Sequence, residues 1–136
     1  MREILFRGQT RRKGQKVWMD GTPVDSNWVE GYGVCMGKGD FSVIYAGHPV
    51  EKFVVYTDTV GQFTGLTDKN GKRIFEGDIV QGKDRLEKHL EVFGYIDHKN
   101  GSFVITGDFM THYRWLDYEV EVIGNIHDNP ELLEGE

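Results

Sequence analysis

At 136 residues the chain is long enough to bury a core without metal or disulfide staples, and its length suits one domain, residues 1–136. Its only cysteine, Cys35, excludes an intrachain disulfide and a multi-cysteine zinc site, and points to a reducing compartment, the cytoplasm. A net charge of −6 argues against non-specific binding to nucleic acid or to an anionic membrane, both of which need positive surface.

Eighteen glycines, 12% aromatics and a single alanine, Ala46, favour strands over helices. Mostly β, with minor α, is therefore the expected class. The first residues, "MREILFRGQTRRKGQK", hold no apolar run of a secretion signal, and nowhere does the sequence approach the ~20 apolar residues of a membrane helix. They do hold six basic residues against Glu3, a local charge of +5 that leaves −11 for residues 17–136.

In chain order, residues 4–9 and 15–19 are β-prone runs around a basic turn containing Gly14, which predicts a hairpin. "SNWVEGYGVCMGKGDFSVIYAG" and the run at 53–56 predict further strands, with a loop at His48-Pro49, where proline denies the ladder a donor. Asp68-Lys69-Asn70-Gly71 has turn chemistry, because Asp bonds nearby backbone amides and Asn-Gly accepts positive φ. A calcium loop fails there on spacing. Counted from Asp68, its fifth, sixth and twelfth positions hold Lys72, Arg73 and Ile79 instead of an oxygen ligand, Gly and Glu.

"KRIFEGDIVQG" continues as strand, with Ile74, Ile79 and Val80 as core candidates and Gly77 as a bulge or bend. A loop or short helical turn is expected over 83–88 and a strand over 90–97. "SFVITG", "FMTHYRWLDY" and "EVEVIGNI" follow, and then a single helical turn at Pro130, capped by Asp128 or Asn129. "KNGKRIFEGD" (69–78) and "KNGSFVITGD" (99–108) match at five of ten positions, which suggests one hairpin device used at two similar corners of a small barrel.

"EILFRG", "TVGQFTGLTDKNGKRIFEGDIV" and "EVIGNIHDNPELL", in this order, resemble the YopX family of phage and prophage proteins of Gram-positive bacteria. The resemblance implies a mostly β protein: an N-terminal β-hairpin and strand region over 1–60 and an SH3-like small barrel over 61–136. It brings no reaction, ligand or catalytic residue with it.

The residues themselves offer little chemistry, and no catalytic, cofactor or metal site is assigned. His48, His89, His98, His112 and His127 lack metal-site spacing, and His98 and His127 are expected as solvent-facing turn residues. Cys35 has no base beside it in "GVCMG" and is expected as a small core residue. Glu76 and Asp78 could act as an acid and base pair, with His127 as a third group, although corner capping by Asp78 is the simpler account.

The candidate interaction surface is the basic N-terminal hairpin: Arg7, Arg11, Arg12 and Lys13, with Trp18 beside them. Together these observations predict a non-enzymatic phage accessory protein that contacts other proteins, phage or host, or its own copies through opposite charges. The alternative is a nucleic-acid accessory factor whose basic tip rests on phosphates while Trp18 stacks on bases.

Overall fold

The computed structural model describes residues 3–10, 28–107, 111–112 and 114–134, together with the backbone of 17–19 and 22–24. The protein is mostly β. Its helical segments among the described residues are three short 3-10 turns, Thr57–Thr59, Trp115–Asp117 and Pro130–Leu133, so 3-10 geometry replaces the expected α contribution. Each has only three or four residues, too few to offset the cost of nucleating an α-helix. The chain divides into two compact units, Met1–Phe63 and Thr64–Glu136.

In the first unit, β1 (Phe6–Gln9) does not form the hairpin that the sequence suggested. Two other pairs form instead: β2 (Val17–Met19) pairs antiparallel with β3 (Thr22–Val24), and β1 pairs antiparallel with β4 (Trp28–Gly31), Arg7 facing Glu30. In the sequence, Asp20-Gly21 stands between Met19 and its register partner Thr22 and is a stronger two-residue hairpin signal than the basic loop around Gly14. The residues of that loop lie outside the described ones.

A second sheet holds β5 (Gly33–Cys35), β6 (Phe41–Ala46) and β7 (Glu51–Tyr56), in that order and antiparallel. The connection through His48-Pro49 is a turn, as proline there predicts. Ser42, Ile44 and Val55 point inward and are fully or almost fully buried. Gly8 of β1 lies against them so closely that a Cβ built on it would stand 2.7 Å from Val55 Cγ2, which is why this position has no side chain. The Tyr32 N–H donates to the Tyr45 carbonyl at 3.0 Å, tying the two sheets at one corner. At the other, Thr59 Oγ1 accepts the Gln9 N–H at 2.8 Å and donates to the Tyr56 carbonyl at 2.6 Å.

β8 (Gly61–Thr67) begins in the first unit, where Gly61 and Gln62 pair with β1, and ends in the second. The second unit continues with β9 (Arg73–Phe75), β10 (Asp78–Asp84), β11 (Glu91–Lys99), β12 (Ser102–Thr106), β13 (Thr111–His112) and β14 (Tyr118–Asn125). Five of these form an antiparallel sheet in the order β13-β12-β11-β10-β14. That sheet is open, with β13 and β14 as its edges.

Val80, Val92, Ile96, Ile105 and Val120 of this sheet build the core with Ile74 of β9 and Trp115 of the 3-10 turn Trp115–Asp117, all nearly inaccessible to solvent. Ile74, Ile79 and Val80 are buried as their sequence pattern predicts. Trp115 also donates its indole N–H to the Phe103 carbonyl at 2.8 Å, so its polar atom is satisfied within the fold. The register of β10 and β14 shifts between Ile79 and Val80, a bulge that increases local twist.

Gly77 does not bulge a continuous strand. It ends β9 and starts β10, with φ of +94°, and its N–H donates to the Ile96 carbonyl at 2.8 Å. The two Asn-Gly copies also differ. At Asn100-Gly101 both residues have positive φ (52° and 83°) between paired Lys99 and Ser102, the geometry of a two-residue hairpin. At Asn70-Gly71 only Gly71 does, because the longer turn is organised by Asp68. Sequence identity thus hides two different turns, and Asp108 of the second copy lies outside the described residues.

Between β10 and β11 the expected loop is present. Asp84 Oδ1 accepts the N–H groups of Leu86 and Glu87 at 2.9 and 2.8 Å, and this backbone hydrogen bonding holds its carboxyl below the usual range. The final turn at Pro130 forms without side-chain capping. Asn129 Oδ1 instead accepts the Asn125 N–H at 3.2 Å, because the side chain folds back onto the end of β14.

Candidate interaction surfaces

The carboxylate of Asp68 accepts three backbone hydrogen bonds. Oδ1 accepts the N–H groups of Asn70 and Lys72 at 2.8 and 2.9 Å, and Oδ2 accepts the Val122 N–H at 3.0 Å. Burial pushes its pKa up, but the three backbone hydrogen bonds outweigh it and the net shift is downward. Lys69 N–H donates to the Val120 carbonyl at 3.0 Å, so the 68–72 turn covers the outer edge of β14. Asp68 is structural: it closes an edge that would otherwise offer free hydrogen-bonding groups.

Asp78 is likewise committed to architecture. It is 1% exposed, and its Oδ2 accepts the Phe75 N–H at 2.8 Å across the Gly77 corner, the capping role its sequence context suggests. His127 lies in the turn after β14, half-buried, its N–H donating to Asn125 Oδ1 at 3.0 Å. His98 faces solvent as expected but lies in a strand rather than a turn. It is a strand residue of β11, exposed, with its ring edge-on to Phe103 at 5.0 Å. Among the described residues, no three His, Cys, Asp or Glu side chains gather as a metal site.

A groove of about 540 Å³ runs over the outer face of β10, β11 and β14. Lys83 faces Glu91 on one neighbour and Glu119 on the other, while Lys69 sits 3.9 Å from Glu121. With Lys88 at the rim, the groove carries three cations and three anions. This balance attracts neither a polyanion nor a polycation, and solvated ladders of this kind contribute little energy.

Of the basic residues singled out from sequence, Arg11, Arg12 and Lys13 and the side chain of Trp18 lie outside the described residues. Arg7 is described, and it is 8% exposed, with its guanidinium 4.6 Å from the centre of the Trp28 ring. A cation over an indole face is a favourable packing arrangement in its own right.

The surface that sequence reasoning missed is the outward face of β5, β6 and β7. Cys35, expected in the core, is exposed on β5, the edge strand of this sheet. Phe41 and Val54 are 53% and 58% exposed, unusual for residues of their size. The register places them in three cross-strand rows: Phe41 with Tyr56, Cys35 with Val43 and Val54, and Gly33 with Tyr45 and Lys52. Phe41 and Tyr56 touch, their ring centres 5.1 Å apart. A pattern signal did exist, since Phe41, Val43 and Tyr45 alternate with Ser42 and Ile44, but both sets are apolar enough to pass for core.

The family model described as YopX protein matches residues 25–134. A crystal structure of protein EF1440 from Enterococcus faecalis is 25% identical, with 96% of this chain and 98% of that chain covered and a TM-score of 0.47. No curated protein matches the chain.

Proposed function

Because the chain belongs to the YopX family, we propose that it is a non-enzymatic accessory protein of phages and prophages, acting in the cytoplasm through protein contacts, those between its own copies included. The observation that carries this reading is the apolar outward face of β5, β6 and β7, with Phe41 and Val54 more than half exposed. A contiguous apolar patch on a charged protein is a contact surface by default. The charge asymmetry of the chain, +5 over residues 1–16 and −11 beyond, adds a second source of attraction between copies.

In this reading residues 61–136 form the SH3-like part of a single domain and residues 1–60 the β part before it. The strand order of the second unit supports it, because the last strand, β14, returns beside the first strand of the sheet, β10, after a 3-10 turn. No helix among the described residues is long and apolar enough to cross a membrane.

Light scattering on a size-exclusion column, at low and high salt, with and without a mixed-sequence oligonucleotide, tests the proposal. Self-association that ignores the oligonucleotide is the expected result. A monomer at every concentration, shifting only when oligonucleotide is added, would overturn it in favour of a nucleic-acid factor using Arg11, Arg12 and Lys13.

A further inference from the structure

We propose that Asn100 is a site of spontaneous covalent modification, its side-chain amide lost through a cyclic imide, while the identical string at Asn70 is held inert by the fold. Lys69-Asn70-Gly71 and Lys99-Asn100-Gly101 present the same three residues, and both asparagines and both glycines are exposed. Neither local sequence nor solvent access separates them. The hydrogen bonds around each string do.

The chemistry takes place within the chain and consumes only water. The backbone nitrogen of the glycine gives its proton to solvent base and attacks Cγ of the preceding asparagine. The new N–C bond closes a five-membered ring, the Cγ–Nδ2 bond breaks, and the amide nitrogen takes a proton from solvent and leaves as ammonia. Water then adds to one of the two ring carbonyls and reopens the ring. One opening gives aspartate, and the other gives isoaspartate, in which the main chain runs through Cβ. Nothing is oxidised or reduced. Glycine favours the reaction because it places no Cβ beside its own nitrogen and leaves the backbone free to rotate.

Ring closure needs rotation about the asparagine Cα–C bond and an available glycine N–H. At Asn100 the fold opposes neither strongly. Asn100 and Gly101 are the two loop residues of a hairpin, with φ of 52° and 83°, between the paired Lys99 and Ser102. The last hydrogen bonds of the ladder belong to that pair, so the Gly101 N–H is left to solvent. Among the described residues it has no backbone acceptor. Rotation at Asn100 therefore disturbs one rung at the end of a ladder, where opening costs little.

At Asn70 both requirements meet an obstacle. The Gly71 N–H donates to the Asp68 carbonyl at 3.0 Å. The N–H groups of Asn70 and Lys72, on either side, donate to Asp68 Oδ1 at 2.8 and 2.9 Å, so rotation between them breaks several bonds at once. The Asn70 side-chain amide donates to Glu121 Oε2 at 3.4 Å, which holds it toward β14. Two carboxylates this close also disfavour the anionic nitrogen that attacks. Asp68, which organises this turn, thereby protects it.

Conversion at Asn100 changes the tip of the β11 and β12 hairpin. Isoaspartate lengthens the main chain of a two-residue loop, and either product adds a negative charge there. The isoaspartyl carboxyl is in addition a substrate for enzymes that methylate that group.

The test incubates the full chain at mildly alkaline pH, digests it, and follows both strings by mass spectrometry for conversion of amide to acid. Enzymatic methylation of isoaspartyl carboxyls is a second readout. Conversion at Asn100 should exceed that at Asn70 at least about tenfold, the ratio expected when one or two more hydrogen bonds must break first. In urea, where both turns are lost, the two sites should convert at equal rates. Asp68→Ala should speed conversion at Asn70 and leave Asn100 unchanged, and Asp68→Asn, a weaker acceptor of the same size, is the second variant, should Asp68→Ala disturb folding. Folded protein that converts equally at the two sites, or faster at Asn70, overturns the proposal. So does folded protein that converts at neither site over the time in which the chain in urea converts at both.

Discussion

The two units spend their apolar residues differently. Among the described residues, the second unit buries ten large hydrophobic side chains and leaves three exposed, Leu86, Leu90 and Leu116. The first buries Ile44, Val55 and Phe63 and leaves six exposed: Ile4, Tyr32, Met36, Phe41, Val50 and Val54. A sheet with one face packed and one face in water should alternate apolar with polar along each strand. β11 approaches that pattern, with Val92, Gly94 and Ile96 buried between less buried neighbours, whereas β6 and β7 are apolar on both sides. The contrast teaches that, among the described residues, the second unit hides most of its large apolar side chains while the first leaves more of them in water than it buries.

The largest expected effect lies in the second unit's core. Ile105→Ala removes buried methylenes from a cluster that includes Val80, Ile96 and Val120, and should cost about 2–5 kcal/mol in chemical denaturation. A cost below ~1 kcal/mol would show that this core collapses around cavities and is not the tight unit described.

Asp68→Ala comes next. It strips three backbone N–H groups of their charged acceptor and should cost about 2–4 kcal/mol. The same carboxylate gives a pH signature. Its folded pKa is lower than the unfolded value, so the unfolded state binds the proton first as pH falls. Its contribution is therefore present above the ordinary carboxylate pKa of ~3.9 and is lost as pH drops through the lowered folded value. Asp68→Asn should flatten the acid limb of a stability-against-pH curve, and an unchanged limb would remove Asp68 from this role.

A smaller effect separates the two Asn-Gly turns. Asn100→Ala forces alanine into positive φ and should cost about 1 kcal/mol, whereas Asn70→Ala should cost under ~0.5 kcal/mol because residue 70 has no positive φ to sustain. Equal costs would mean that the turns are the same after all. Smallest in stability is Val54→Glu, which should stay within ~0.5 kcal/mol of wild type under thermal denaturation of dilute protein, since that side chain is 58% exposed.

Much of this was legible in the sequence, and for identifiable reasons. Glycine-rich, alanine-poor composition announces strands, Asp68 to Gly71 announces a turn, and Ile74, Ile79 and Val80 announce a core, because each signal is local. The N-terminal hairpin was misplaced because pairing partners are not local. β1 takes β4, some twenty residues on, and β8, more than fifty residues on. Cys35 and the face around it were hidden for a related reason. Alternation shows that Val43 and Ile44 point in opposite directions, but not which direction has a neighbour. The identical Asn-Gly strings misled in the opposite sense, since the residue that distinguishes them, Asp68, precedes the repeat.

Sedimentation velocity of wild type and Val54→Glu over a hundredfold range of protein concentration, with stability matched, tests the central claim most directly. The account predicts that wild type moves from monomer toward dimer as concentration rises and that Val54→Glu remains monomeric. Identical sedimentation of the two proteins at every concentration would contradict it.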